Sequence, residues 1–422
     1  MLKKIFSTFI TKILTGIISL LIAVLVSNWL GAEGKGIQGI YFTTIGLSIT
    51  LISILGLMPV TYLYRRKPSL NYFMIVYLWS FISIPLLYFS LKYTQLINPE
   101  YVLYATITCF CSSLVSNNLS IFIIKEKLIY FNLALISQPI SKILFILLFY
   151  YSKQTFTIDD YIHSLLYSFL ILLLFSLKGL VLIFKEQIRL KLNSLIKDLI
   201  DMFRYGFLHQ ITTILQLLSF RVTYYILNHF DEVSNLGVYT NAISISESVW
   251  IISKSLSVVF YSRMLNTKSN QHKELFQTFT YASFWIQAVA LAALVFIPST
   301  FYTYLFGSDF YNLKNLLVLL LPASLLFGQS FIFEFYFAAT GKHHINVMAN
   351  LTGMVIILGF AYLFIPSLSA AGAALATNIG CIATIIIYNH FLVKNFKYSI
   401  LKHLFSISTF KTYYQNLRQV IS

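Results

Sequence analysis

The stretch YIHSLLYSFLILLLFSLKGLVLI (161–183), followed after Phe184 by KEQIRLKLNSLIKDLIDMFRY (185–205), decides the fold. A helix needs about 20 mostly apolar residues, at about 1.5 Å each, to cross the hydrocarbon of a bilayer. The first stretch meets that requirement. The second alternates charges with Ile188, Leu192, Leu195, Ile196 and Leu199 at helical spacing, which reads as an amphipathic helix lying on the inner membrane face. Working outward, apolar runs of the same length recur on both sides. They fall at 8–30, 37–64, 72–91, 101–124 and 131–151 before it, and at 205–229, 237–262, 276–297, 315–340, 345–365 and 369–392 after it. These runs are too long and too continuous for the period-2 strands of a barrel, and helices are the other backbone structure that satisfies its own hydrogen bonds in lipid. The first run follows Lys3 and Lys4 and continues to Leu30 without a cleavage site, so it is expected as a transmembrane helix rather than a removable signal.

The expected fold class is therefore all-α integral membrane, with about 12 transmembrane helices in two six-helix lobes and both termini cytoplasmic. The expected divisions are a first lobe at 1–183, the linker helix at 184–204, a second lobe at 205–392 and a basic cytoplasmic tail at 393–422. A weak parallel repeat supports two lobes, because Gly39-Ile40-Tyr41 and Gly237-Val238-Tyr239 each mark the outer turn into the second helix of a half.

Composition agrees. Of the 422 residues 58% are hydrophobic and 10% charged, and the mean hydropathy is +0.77. Soluble domains carry about 25% charged residues. The net charge of +16 would suggest nucleic acid in a soluble protein, but its placement explains it otherwise. With the N-terminus inside, Lys3, Lys4, Arg65, Arg66, Lys67, Lys125, Lys127, the run from Lys185 to Arg204, Arg263, Lys268, Lys273, Lys342 and the basic residues of 394–418 all fall on the cytoplasmic side. The outer segments hold only Lys35, Lys92, Lys153 and Lys314, as the positive-inside rule requires. No nucleic-acid partner is needed. Cys109, Cys111 and Cys381 have no metal-binding spacing, and His343-His344 reads as a solvated turn. No metal or other cofactor is expected, apart from a proton or sodium as coupling ion.

Six charges fall inside the expected spans: Lys12, Lys142, Arg221, Glu247, Lys254 and Glu334. Charges at this depth are costly, and face a polar interior or a partner. Arg221 and Glu247 are expected at similar depth on neighbouring antiparallel helices. They read either as a structural salt bridge or as a substrate contact beside an ion-coupling acid. Lys254 can pair with Glu334 or snorkel to the inner headgroups, as can Lys12. Lys142, 11 residues into its helix, is expected near the midplane. The excess of positive charge points to an anionic ligand, so Lys142, Lys12, Arg221 and Lys254 are the candidate substrate-binding residues, and a pyrophosphate headgroup suits a compact ammonium. Helix 4 is rich in polar residues (Thr106, Thr108, Ser112, Ser113, Ser116, Asn117, Asn118, Ser120), which read as interhelical glue or as an aqueous lining. Pro59, Pro85, Pro139 and Pro322 interrupt helices and are candidate hinges. Phe and Tyr are expected mostly toward lipid or at the interfaces, with Trp29 as an interface anchor. Asp159-Asp160 and Asp231-Glu232 read as solvated loop acids.

Three stretches carry a resemblance: SNWLGAEGKGIQGIYFTTIGLSITLISILGL (27–57), YGFLHQITTILQLLSFRVTYYILNHFDEVSNLGVYTNAISISE (205–247), and LFGSDFYNLKNLLVLLLPASLLFG (305–328) with Gly341-Lys342 and Gly372-Ala373-Ala374-Leu375-Ala376-Thr377. In order and spacing they resemble bacterial polysaccharide (O-antigen) flippases of the Wzx type, in the multidrug/oligosaccharidyl-lipid/polysaccharide exporter superfamily. The resemblance implies a multi-pass protein of the bacterial cytoplasmic membrane. Such a protein moves an undecaprenyl-pyrophosphate-linked oligosaccharide outward by alternating access, for O-antigen or capsule, alongside membrane lipids and other polysaccharide assembly proteins. It implies no covalent catalysis. Two alternatives are a multidrug antiporter of the same superfamily, which acidic residues in the first-half spans would favour, and a membrane polysaccharide polymerase, which would need a large outer loop. Neither feature is present in the sequence.

Overall fold

The computed structural model describes residues 2–184, 192–267 and 271–396, and among these every regular element is helical. Helix α1 (Leu2–Ile52) is broken at Gly31, where φ 67° and ψ −172° lie in a region open essentially to glycine alone. A 3₁₀ turn at Ser53–Leu55 leads into α2 (Leu57–Arg66), and α3 (Asn71–Thr94), α4 (Val102–Ile124), α5 (Leu128–Lys153), α6 (Ile158–Ser176) and α7 (Lys178–Phe184) follow. After the undescribed 185–191 come α8 (Leu195–Phe230), α9 (Val233–Asn266), α10 (His272–Phe296), the short α11 (Ser299–Phe306), α12 (Leu313–Ala339) and α13 (His343–Phe396). Helix α13 is broken at Ser369, whose φ of 54° is strained for a residue with a side chain. The Ser369 hydroxyl is bonded to the Asp231 carboxylate, which holds that break.

Nine described helical segments are long and apolar enough to cross a membrane, and Ile13–Arg66 and His343–Lys394 are of double length. The breaks at Gly31 and Ser369 divide those two, and α8 with its 36 residues adds a further crossing. The chain is a multi-pass, all-α membrane protein. Lys35, expected in an outer loop, lies instead within the second half of α1 and is buried.

Two compact units are distinguished, 1–217 and 218–422. In the first, α4 packs against α2, α3, α5 and α6, and 61% of its most apolar stretch is buried, against 28% for α3 and α5. In the second, α12 packs against α9, α10 and α13 and is 67% buried on the same basis. These are the fourth crossings of the two sets of six, so the repeat extends to the choice of central helix.

The polar residues of the central helices hold each unit together. Ser113 of α4 meets Ser80 of α3 at 2.7 Å. Asn117 donates to Ser80 at 3.1 Å, and Asn118 donates to Ser176 of α6 at 2.8 Å while accepting from Tyr77. In the second unit, Ser253 of α9 meets Ser283 of α10 at 2.7 Å and donates to Gln287 at 2.8 Å. Gln287 and Trp250 both donate to the Ser324 carbonyl of α12 at 3.1 Å. The helix-4 polar residues that make these bonds are therefore glue rather than an aqueous lining. A minority of the Phe and Tyr side chains is buried instead: the largest fully buried side chains are all Phe or Tyr, and Phe260, Phe276, Phe279, Phe333, Phe337 and Tyr388 belong to one core of the second unit. Trp29 stacks on Tyr150, with ring centroids 3.9 Å apart.

Of the expected linker helix 184–204, residues 185–191 lie outside the described residues, as do 397–422 of the expected tail. From Leu195 the linker is continuous with the crossing expected to start at 205, and the first unit extends to Leu217. Its apolar side chains Ile196 and Ile200 point away from the protein, while Asp198 and Met202 are buried. Asp198 accepts from Asn71 at 2.7 Å and Ser194 at 2.9 Å and lies 3.5 Å from Lys67. Further along α8, a Cβ at Gly206 would sit 2.0 Å from the Ile54 carbonyl and 2.9 Å from Pro59. Only glycine allows this approach.

Pro322 interrupts α12. Its ring crowds the preceding turn and removes a backbone donor, and the next N–H, of Ala323, bonds the side chain of Asn378. Asn378 accepts from Ala323 N–H at 2.8 Å and donates to the Leu319 carbonyl at 2.7 Å. One buried amide thus bridges the opened turn from α13.

Two stability changes are expected from thermal unfolding of the detergent-purified protein. Gly206→Ala lowers the midpoint, by overpacking worth about 1–3 kcal/mol, whereas Gly359→Ala, with nothing within 4 Å of a new Cβ, does not. Asn378→Leu orphans two buried backbone groups at about 1–3 kcal/mol each, and adding Pro322→Ala recovers part of that loss.

Candidate functional site

Among the candidate cations with described side chains Lys142 is buried and Arg221 partly buried, and their surroundings differ. Lys142 stands on α5, about 16 Å by helical rise from the outer end at Lys153. Its ammonium donates to the Tyr161 hydroxyl at 2.8 Å and lies 4.5 Å from the centroid of that ring and 5.6 Å from that of Phe42. Gln38 also donates to the Tyr161 hydroxyl, at 2.9 Å. Tyr161 is in the first turn of α6, and Lys142 is the fifteenth of the 26 residues of α5. Lys142 is 7% exposed, and no carboxylate among the described residues pairs with it. An ammonium has three donors. One is used by Tyr161, and the faces of two rings supply only the weaker attraction of a π-system for a cation. The buried Oε1 of Gln38 has no hydrogen-bond partner. The cluster can therefore accept an anion at Lys142 and a hydroxyl donor at Gln38.

Arg221 is neutralised. Its guanidinium is bonded to the Glu247 carboxylate and donates to the Tyr224 hydroxyl at 2.8 Å. Tyr224 lies edge to face with Tyr239 at 5.8 Å, and the Tyr239 hydroxyl meets Thr377 of α13 at 3.1 Å. Tyr239 is the repeat counterpart of Tyr41, and both are fully buried. The ion pair is thus part of a network joining α8, α9 and α13.

The remaining candidates are not gathered into either cluster. Lys254 is exposed, with its ammonium 5.1 Å over the Phe331 ring, and makes no ion pair with Glu334. The Glu334 carbonyl accepts from Asn346 at 3.0 Å. Lys12 is on α1, and its side chain lies outside the described residues. Two of the outer acids are clamps rather than solvated loop groups. Asp160 is buried, bonded to Lys153 at 2.5 Å and to Thr157 in a capping box, and Asp231 holds Ser369 and Asn235. No group of three or more His, Cys, Asp or Glu that could hold a metal occurs among the described residues. Sequence reasoning did not single out Tyr161, Gln38 or Tyr224. Tyr224 is legible as the i+3 neighbour of Arg221 on a helix, whereas Tyr161 reaches Lys142, and Gln38 reaches Tyr161, only through packing.

No family model matches the chain. Over 166 residues it is 27% identical to the capsular polysaccharide biosynthesis protein CapF of Staphylococcus aureus, a match covering 38% of this chain and 42% of that protein's length. Among solved structures it is similar to the lipid II flippase MurJ in an inward closed conformation, with a TM-score of 0.73, 15% identity, and coverage of 96% of this chain and 89% of that one. It is also similar to a multidrug resistance MATE family transporter of the MOP superfamily in its inward-facing conformation. There the TM-score is 0.70, the identity 18%, and the coverage 89% and 93%. The fold is the one these membrane transporters share.

The two cation sites make opposite predictions for a charge-neutralising change. Glu247→Gln leaves the half-buried Arg221 beside a neutral amide and lowers the amount of folded protein, as does Arg221→Gln. The Glu247 side chain is 36% exposed, so solvent screening keeps the loss below that of a fully buried pair. The double variant should recover much of the loss, read as coupling in a double-mutant cycle of thermal midpoints.

Proposed function

We propose that this chain flips an undecaprenyl-pyrophosphate-linked oligosaccharide across the bacterial cytoplasmic membrane by alternating access, for assembly of capsule or O-antigen. The observation that carries this reading is Lys142: a buried ammonium, held by a hydroxyl and two aromatic rings, with donors left over and no paired carboxylate among the described residues. Taking a cation out of water without an anion is costly, and a site that keeps one has a use for it. A pyrophosphate supplies the missing negative charge, and the sugars attached to it supply hydroxyls for acceptors such as Gln38. Moving such a lipid between leaflets breaks no bond, so the reading requires no catalytic group. The partial similarity to CapF and the fold shared with MurJ support it. An organic cation as cargo is less well supported, because Lys142 would repel it.

The test is surface glycan made by a strain whose own copy is replaced. Lys142→Ala should reduce surface glycan about tenfold or more, equivalent to about 1.4 kcal/mol or more, with unchanged protein in the membrane fraction. Lys142→Arg should retain part of it. Full glycan with Lys142→Ala overturns the proposal.

A further inference from the structure

We propose that Arg66 forms a binding site for a lipid phosphate headgroup at the inner membrane boundary of the first unit, preorganised by a stack of Tyr62 and Tyr205. Tyr62 of α2 and Tyr205 of α8 are parallel, with ring centroids 3.9 Å apart and planes 10° from one another. The Arg66 guanidinium carbon lies 4.3 Å from the Tyr62 centroid. Two groups cannot both occupy one face of a ring at that distance, so Arg66 and Tyr205 take opposite faces. The result is a three-layer stack that ends in a flat cation.

The stack exists because of Gly206. Its missing side chain lets α8 close on Ile54 and Pro59, which brings the adjacent Tyr205 against Tyr62. Stacking uses the face of a guanidinium and leaves its edge, with five N–H donors in a fixed fork, free for two parallel bonds to a phosphate. Arg66 makes no ion pair and no hydrogen bond among the described residues. Its neighbours are committed elsewhere. Lys67 faces Asp198, which also accepts from Asn71 and Ser194, and Arg65 reaches the Ile123 carbonyl. Arg66 closes α2 at its inner end, the level at which headgroup phosphates lie. The phosphate can belong to a phospholipid or to the polyprenyl pyrophosphate of the proposed cargo. Only the second source rests on the flippase reading.

The experiment is native mass spectrometry of the intact, detergent-purified protein titrated with dioleoyl phosphatidylglycerol, undecaprenyl pyrophosphate, or uncharged dioleoylglycerol. Wild type, Arg66→Lys, Tyr205→Leu and Lys142→Ala are compared. Arg66→Lys keeps the charge but loses the fork, and Tyr205→Leu keeps the arginine but loses its support. Each should weaken binding of at least one phosphate lipid about tenfold, with the uncharged lipid unaffected. Adding Arg66→Lys to the Lys142→Ala protein should weaken binding by the same factor as in wild type. Losses in the phosphatidylglycerol arm identify a phospholipid occupant, losses in the pyrophosphate arm the cargo, and losses in both a general phosphate site. Unchanged phosphate-lipid binding in either variant overturns the proposal. If wild type ignores undecaprenyl pyrophosphate yet binds phosphatidylglycerol through Arg66, the flippase reading fails and this site stands. A size-exclusion profile matching wild type separates loss of binding from loss of fold.

Discussion

Hydrocarbon offers no hydrogen-bond partner, and this one constraint runs through the whole structure. It makes the backbone helical, and it acts again on each polar side chain and on each place where the helix is interrupted. At Pro322 the ring opens a turn of α12, and the Asn378 amide bridges it by serving both the Ala323 N–H and the Leu319 carbonyl. At Ser369 a strained φ is held by the Asp231 carboxylate. In α4 and α12 hydroxyls and amides find partners on neighbouring helices, so those two become the hubs of their units. Apolar contacts between helices say little about which helix belongs beside which, because lipid tails are equally apolar. Directional bonds say more.

The same constraint sorts the charges. Asp198 is buried against Lys67, Asn71 and Ser194, and fastens the start of α8 to the first unit. Arg221 and Glu247 cancel one another and tie in Tyr224. Lys254 is exposed. Lys142 differs from all of these, since its partners are a phenol hydroxyl and two rings. Such partners stabilise an ammonium without neutralising it, which leaves a local field able to attract an anion. Arg66 repeats the logic at the inner boundary, where rings hold the cation and its donors stay free. In both places aromatic faces position a positive charge without cancelling it.

The all-helical, multi-pass character and most helix boundaries to within a few residues were legible in the amino-acid sequence. These properties are additive along the chain. Each helix must cover a fixed thickness of hydrocarbon, and each loop is sorted by its own charge. The likely neighbours Arg221 and Glu247 were legible too, because a short outer turn places them at similar depth. Other features were not. Lys35 sits in a helix rather than a loop because Gly31 makes the turn in one residue. The expected linker is one helix with the next crossing, and its buried face carries Asp198 while Ile196 and Ile200 face outward.

The sequence alone thus determined that this is a multi-pass, all-α membrane protein, and which six charges within the apolar runs needed explanation. Only the tertiary structure decided what each charge does. Tyr161 of the next helix meets Lys142 and is met in turn by Gln38 from α1, Lys254 ends over Phe331 instead of at Glu334, and Gly206 brings Tyr205 to Tyr62. The reason is geometric. Helical spacing fixes depth and face for one segment at a time, whereas a partner across two helices depends on how closely they approach and which faces they present.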